Sequence, residues 1–434
     1  MRPKNLDVIV TGMGALSSHG VGVPALAKAL REGNNPFKRS ARFSVLSFDV
    51  IAAELDQFNF ENSINQFKHL PKSLTEHALK LGRRAPLTIQ TSIVSALEAW
   101  EQAELFSREI DPSRIGLIIA GENTTQAYQY HLYRQFHEEP NYLSPTYALH
   151  FMDTDQVGTL SEIFNIQGEG FTVGGASASG NVGIIQGYRL IQQKCMDICL
   201  VVGALADLSP IEIQGFRNIG ALGGTHFQHQ PLKACRPFDK EHEGFIWGQA
   251  SGCLILESSE FAKKSAANAL GKITGTAMKL DANRLANPTM TGEVKVMQQA
   301  LANAKLSSRD IQYINTHGSS SPLGDKTEVA AIQEVLGDAV KKVWINSTKS
   351  IIGHCIWSAG IIEAIATLLQ IQEGMVHPNL NLENPIDKNC RFVGEKSETA
   401  RIEVALSNSF GFGGINTSIV LAKETEYVSR NRIN

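Results

Sequence analysis

Four short stretches carry residues able to act on a carbonyl group. FTVGGASASG, at 171–180, leaves an apolar run, turns through small residues and enters a helical pattern, with Ser177 at the turn. THGSSSPLGD, at 316–325, holds His317, and STKSIIGHC, at 347–355, holds Lys349 and His354. SNSFGFGGIN, at 407–416, surrounds Phe412 with Gly411, Gly413 and Gly414. Neutral imidazoles can donate N–H bonds to a carbonyl oxygen as it gains negative charge, and losing one such donor costs about 3–4 kcal/mol of transition-state stabilisation. Two histidines, a lysine and a glycine-rich loop therefore suit an enzyme that handles a thioester carbonyl.

Each of these residues also has a plainer reading. A lone histidine is usually a structural hydrogen-bonder. Here two of them follow strand patterns and sit in Gly/Ser-rich loops, where open α/β sheets place ligands. Neither stretch has the HxxxH or HxH spacing that metal binding favours. Lys349 has small and apolar neighbours, unlike a solvated lysine, and can hold an imidazole neutral or orient a carboxylate. The glycines of 411–414 permit positive φ and let backbone N–H groups face a ligand. A phosphate cradle fits less well, because no Lys-Ser/Thr follows as in a P-loop. Ser177 is at a strand-to-helix turn, where a backbone N–H and the helix dipole favour negative charge. It can equally be an N-cap serine. The local string GASAS lacks the GxSxG of a nucleophile elbow, so a Ser–His–Asp hydrolase is a poor fit.

The elements that must position these residues follow an alternating strand and helix pattern, which predicts an α/β layered fold. Element order occurs twice. Strands are expected over 8–11, 115–120, 171–173, 198–203 and 252–257, and again over 272–275, 313–315, 343–345, 401–406 and 417–421. Helices fall at matching places, 86–103 against 293–304 and 178–194 against 359–373. Two similar halves, residues 1–257 and 258–434, facing each other across a site is the simplest geometry. Gly180, Gly183 and Gly187 share one face of the helix after Ser177. Each costs that helix about 1 kcal/mol relative to alanine, so another backbone is expected to approach closely there. Residues 121–150, rich in tyrosine, and 204–250 interrupt the repeat and are expected to shape a binding site or a subunit contact.

The chain has 434 residues, 43% hydrophobic and 19% charged, as a globular protein of one large or two closely joined domains would. A net charge of −3 gives no sign of a broad basic surface for nucleic acid. No apolar run approaches the roughly 18 residues of a membrane span, and the apolar run at the N-terminus is too short for a signal peptide. The cysteines, Cys195, Cys199, Cys235, Cys253, Cys355 and Cys390, are scattered, so packing rather than metal binding is expected. A reducing cytoplasm fits that usage.

These residues resemble the thiolase-fold condensing enzymes, with β-ketoacyl-acyl-carrier-protein synthase II the nearest type. The resemblance runs from VTGMGALSSHG at 10–20, through CRPFDKEHEGFIWG at 235–248, to the GFGGIN that ends at 416. It implies two similar βαβαβαββ halves in a five-layered α-β-α-β-α structure. It also implies a homodimer, and an acyl carrier protein partner whose phosphopantetheine arm brings the substrate. No resident cofactor, metal, nucleic acid or membrane is implied. His317 and His354 match the family's two histidines and Lys349 its lysine. Phe412, between Gly411 and Gly413, matches a gating phenylalanine whose N–H completes an oxyanion hole with that of residue 177. Glu363 matches a structural glutamate that some members use near a monovalent cation, and Glu328 a second buried acid.

The departure lies at Ser177. The family's nucleophile is a cysteine in a string like TACTSG, and here the string is GASASG. A thiol has a pKa near 8.5, lowered at a helix N-terminus, whereas an alcohol is a far weaker acid and needs a base beside it. Condensation requires the acyl-enzyme; decarboxylation of a malonyl thioester does not. The pattern is similar to that of the stand-alone ketosynthase-like decarboxylases of polyketide β-branching cassettes, which carry serine at this position and make acetyl-carrier protein. Two other readings are a serine-dependent acyltransferase or slow elongating synthase, and a non-catalytic partner subunit like a chain-length factor. Chain-length factors typically lose histidines that this chain keeps.

Overall fold

The computed structural model describes residues 7–424. Ten strands build its centre. The first five are β1 (Val8–Ser17), β2 (Ile115–Ala120), β3 (Gly170–Val173), β4 (Ile198–Gly203) and β5 (Ala250–Ser258). The second five are β6 (Gly271–Leu280), β7 (Tyr313–Asn315), β8 (Trp344–Asn346), β9 (Val404–Gly411) and β10 (Ile415–Ala422). The main helices are α1 (Leu87–Gln102), α2 (Gln126–Glu138), α3 (Thr154–Phe164), α4 (Ser179–Gln192), α5 (Pro210–Asn218), α6 (Met290–Ala304), α7 (Pro322–Leu336), α8 (Lys349–Ile352) and α9 (Ala359–Glu373).

The repeat of element order becomes a repeat of topology. The first five strands lie in the order β3-β2-β4-β5-β1 and the second five in the order β8-β7-β9-β10-β6. Pairing sense repeats as well. β2 is parallel to β3 and β4, and β5 is antiparallel to β4 and β1. β7 is parallel to β8 and β9, and β10 is antiparallel to β9 and β6. β1 and β6 join the two sets through Val8 opposite Ile273, Ile9 opposite Lys272 and Val10 opposite Gly271.

Most of these strands are buried on both faces, so they read as apolar runs whose alternate residues serve different layers. Leu117, Ile119, Leu200, Val202 and Ile255 face outward onto Ile93 and Leu97 of α1 and Leu160 of α3. Ile118, Val201 and Leu256 face inward onto Ile184 of α4 and Ile361 and Ile365 of α9, with Ile419 and Leu421 closing from the other side. Ile314, Ile345, Leu406 and Val420 meet α6 and α7 through Val296, Met297, Val329 and Ile332. The result is the five-layered α-β-α-β-α thiolase fold.

Two expectations need refining. β1 runs to Ser17, well past residue 11, because its glycines are not turns. A Cβ at Gly12 would lie 2.3 Å from Ala99 O and one at Gly14 1.9 Å from Ser95 O, so the backbone of α1 rests directly on the strand. The three glycines of α4 also divide by role. A Cβ at Gly180 would lie 2.6 Å from Ile361 N, so here α9 does bring its backbone against α4. Gly183 and Gly187 instead face strand side chains, those of Ala120 and Val201.

The tyrosine-rich interruption forms α2 and the segment after it. Tyr128 stacks on Tyr147 at 6.2 Å, while Tyr133, Phe136, Tyr142 and Leu149 are exposed. Among the described residues no helix is long and apolar enough to cross a membrane.

Candidate active site

Ser177 sits where β3 passes through Gly174 and Gly175 into a single 3-10 turn, Ala176–Ala178, that leads into α4. Ala176 has φ 48°, a left-handed conformation that costs a non-glycine residue about 1–2 kcal/mol. Local bonds hold it there. Its N–H donates to Glu122 Oε1 at 3.1 Å, and its carbonyl accepts from Ser179 Oγ at 2.7 Å. β9 braces the turn from the other side, Ser409 Oγ donating to Ser177 O at 3.1 Å.

His354 reaches Ser177 from the far half of the chain. The one-turn helix α8 ends at Gly353, φ 77°, a detour between β8 and the histidine that the sequence pattern did not reveal. His354 N then donates to Ile246 O at 2.7 Å, and Gly248 N donates to His354 O at 3.1 Å. The ring has one arrangement of its proton. Ile356 N–H donates to Nδ1 at 3.1 Å, so in the neutral imidazole Nε2 carries the hydrogen, 2.9 Å from Ser177 Oγ. Burial, with Lys349 adding to it, holds the pKa of His354 well below its ordinary value, so the ring is neutral.

His317 follows β7, and its ring centroid lies 5.5 Å from that of His354, nearly perpendicular to it. Glu328 of α7 fixes the turn that aims it: Oε1 accepts from His317 N at 2.8 Å and Oε2 from Gly318 N at 2.7 Å. Burial raises that carboxyl to about 7 against these bonds. His317 is also held well below its ordinary pKa, by burial first, then by Lys349 and His354.

Lys349 stands behind the histidines. It is 1% exposed, and its ammonium donates to His317 O at 2.5 Å and to Glu363 of α9. Its ammonium reaches the histidines through the His317 backbone carbonyl and through its charge. Burial lifts Glu363 to about 7 despite the ammonium beside it.

The glycines around Phe412 serve two needs. Gly411 requires space, since a Cβ there would lie 2.2 Å from Gly175 O in the Ser177 turn. Gly413 requires its backbone conformation, φ 84°, with open space around it. Phe412 itself is 38% exposed at the rim, its ring 6.4 Å from that of Phe216. Among the described residues, the Ser177 and Phe412 backbone N–H groups donate to no other group of the chain.

Ser177, His317, His354 and Phe412 line one cavity of about 260 Å³, with Phe245 and Trp357 among its apolar walls. Glu122, Ser319 and Ser321 also face it and went unnoticed in the sequence. Glu122 follows the carboxyl end of β2, so the strand-end rule that picked out His317 applied to it equally. Ser319 and Ser321 are in the same loop as His317 itself. Cys199 is fully buried in β4 and Cys195 partly buried at the end of α4; neither lines the cavity.

Comparison with known proteins finds relatives over nearly the whole chain. Residues 5–262 match the family described as beta-ketoacyl synthase, N-terminal domain, and residues 270–383 its C-terminal domain. The polyketide biosynthesis malonyl-ACP decarboxylase PksF of Bacillus subtilis (strain 168) is 38% identical over 418 residues, 96% of each chain. The 3-oxoacyl-[acyl-carrier-protein] synthase 2 of Coxiella burnetii (strain RSA 493 / Nine Mile phase I) is 31% identical over 422 residues, 96% of this chain and 98% of that one. A solved complex of a type II polyketide ketosynthase with its acyl-carrier protein, AntDE:AntF, superposes with a TM-score of 0.83 at 25% identity, covering 97% of this chain and 100% of that one.

Proposed function

Because this chain belongs to the beta-ketoacyl synthase family, we propose that it decarboxylates a malonyl group borne as a thioester on an acyl carrier protein, leaving acetyl-carrier protein for polyketide biosynthesis. The observation that carries this reading is the direction of one hydrogen bond. His354 Nε2 is a donor toward Ser177 Oγ. A neutral imidazole that gives its proton to the hydroxyl cannot remove the hydroxyl's own, so Ser177 has no base and forms no acyl-enzyme.

What the same donors do well is hold an oxyanion. The thioester carbonyl oxygen of the malonyl group takes the N–H bonds of His317 and His354. The bond between C2 and the carboxylate breaks, its electron pair passes into the enolate, and CO₂ leaves. Both rings are neutral, so neither gives up a proton it needs to hold the oxygen. Lys349 and Glu363 keep that state from behind, and Glu328 keeps His317 aimed. The unpaired N–H groups of Ser177 and Phe412 offer a second set of donors at the same cavity. Phe412 at the rim gates entry. The 38% identity to PksF supports the substrate class, and AntDE:AntF supports a carrier-protein partner.

The homodimer belongs to the same proposal, and the exposed aromatic face of Tyr133, Phe136 and Tyr142 supports it. The test of function is the mass of the carrier. Malonyl-carrier protein incubated with the enzyme is expected to lose one CO₂ per carrier, with no acyl group on the enzyme. A malonyl carrier that survives intact while PksF converts it in parallel would remove the reading. An acyl-oxyester on Ser177 would put a serine acyltransferase in its place.

A further inference from the structure

Glu293 lies one turn into α6, is 1% exposed, and neither of its carboxyl oxygens has a hydrogen-bond partner. A buried polar group left so costs about 1–3 kcal/mol, more if charged. It is not alone. Asp281 Oδ2 and Asn416 Nδ2 are likewise buried and unpaired. All three line one cavity of about 340 Å³ whose other walls include His317, Phe410 and Phe412. The cavity therefore runs from the catalytic histidine, past the gating phenylalanine, to a carboxyl group that nothing in the fold uses.

The protonation state of that carboxyl follows from its neighbours. Burial, then the carboxylates of Glu328, Asp281 and Asp325, push its pKa well above the ordinary value. The protonated form of Glu293, with an O–H to give, is thus favoured over the carboxylate. Its place in the first turn of α6 then favours the anion left after the proton departs.

The decarboxylation has a matching need. A condensing enzyme consumes its carbanion with an acyl group, but a decarboxylase must protonate it. His317 and His354 each have one N–H, already used on the oxygen. Ser177 is an alcohol, and Lys349 is turned toward Glu363 and a backbone carbonyl. We propose that Glu293 is the proton source for C2 of the enolate, relayed by water held among Glu293, Asp281 and Asn416. Unpaired polar groups around one cavity are what a buried water requires. The step balances simply: the enolate electron pair takes a proton from that water, the water takes the Glu293 proton, acetyl thioester results, and the glutamate is reprotonated from solvent. Malonyl thioester anion plus one proton gives acetyl thioester plus CO₂.

This inference rests on the decarboxylase reading, and one experiment separates the two. Wild type, Glu293→Gln and Glu293→Asp are assayed on malonyl-carrier protein in H₂O and in D₂O. Conversion by the wild type secures the reaction itself. Glu293→Gln is then expected to lower kcat by about a hundredfold with KM unchanged and a larger solvent isotope effect, and Glu293→Asp to recover part of the rate. Glu293→Met repeats the test should the amide not fold. A Gln or Met variant with wild-type kcat and isotope effect would overturn the proposal. So would a loss of rate that follows a fall in melting temperature with no recovery by Asp. A wild type that leaves malonyl intact would remove both readings.

Discussion

His354 Nε2 lies 2.9 Å from Ser177 Oγ and is the donor of that bond, because Nδ1 already accepts the Ile356 N–H. The serine is thus an accepting ligand of the histidine. Truncating it removes one neutral hydrogen bond, worth about 1 kcal/mol. Ser177→Ala is expected to retain decarboxylation to within about tenfold. Ser177→Cys is different in kind. A thiol at the N-terminus of α4 ionises near neutral pH without a base. Incubated with acyl thioesters, this variant is expected to gain an acyl mass, and the wild type is expected to gain none. A cysteine variant that stays unlabelled would contradict the account of why serine stops the acyl transfer.

The histidines should behave oppositely to the serine. Each offers an N–H that matters most when the carbonyl oxygen carries charge. His317→Ala and His354→Ala are each expected to lower kcat by about 10²–10³-fold, with smaller changes in KM. Steady-state kinetics on malonyl-carrier protein reads this directly. Wild-type kcat in either variant would dismiss enolate stabilisation by that ring.

How far the sequence foretold this site depends on the kind of signal. His317, His354 and Ser177 were legible because each ends a strand in a loop of small residues, and the topology of parallel strands places such ends together. The doubled element order was legible from apolar runs and became the doubled sheet order. The first strand was expected only over 8–11, yet β1 continues through Gly12 and Gly14, where α1 touches it. The partner of Lys349 was out of reach, since Glu363 is fourteen residues away on another helix and only folding brings them into contact. Glu293 gave no signal at all. A glutamate in a first helical turn is ordinary, and only its burial without partners makes it unusual.

The two kinds of glycine around Phe412 should separate on substitution. At Gly411 an added methyl meets a backbone oxygen at 2.2 Å, and that oxygen belongs to the turn carrying Ser177. Gly411→Ala must move the turn or the strand, so it is expected to lower kcat by more than tenfold, on the order of the cost of misplacing a reacting group. Gly413→Ala meets no atom and suffers only from its φ of 84°, a cost of about 1 kcal/mol. Its effect should fall on stability and on loop opening, leaving the rate of single-turnover decarboxylation nearly unchanged. Equal damage from both would mean that the loop acts as one unit.

Lys349 and Glu363 form a buried pair whose removal should be felt at the histidines. Lys349→Met leaves the Glu363 carboxyl buried without its cation, and breaking such a pair costs about 3–5 kcal/mol. Lys349→Met with Glu363→Gln removes the stranded charge and is expected to recover much of that stability in denaturant melts. The pH dependence should not recover with it. The ammonium is the second cause, after burial, of the low pKa of His317 and His354. Without it both rings take up protons at higher pH, so the acid limb of the rate profile moves upward in both variants. Stability linkage carries the same sign. In the wild type the unfolded chain binds protons at these histidines from the ordinary value of 6.5 downward while the native chain does not. Their contribution is full above that value and is lost as pH falls toward the depressed native value. Raising the native value narrows that window, so both variants should lose less stability on acidification. An acid limb that stays where the wild type has it would mean that burial alone keeps the rings neutral.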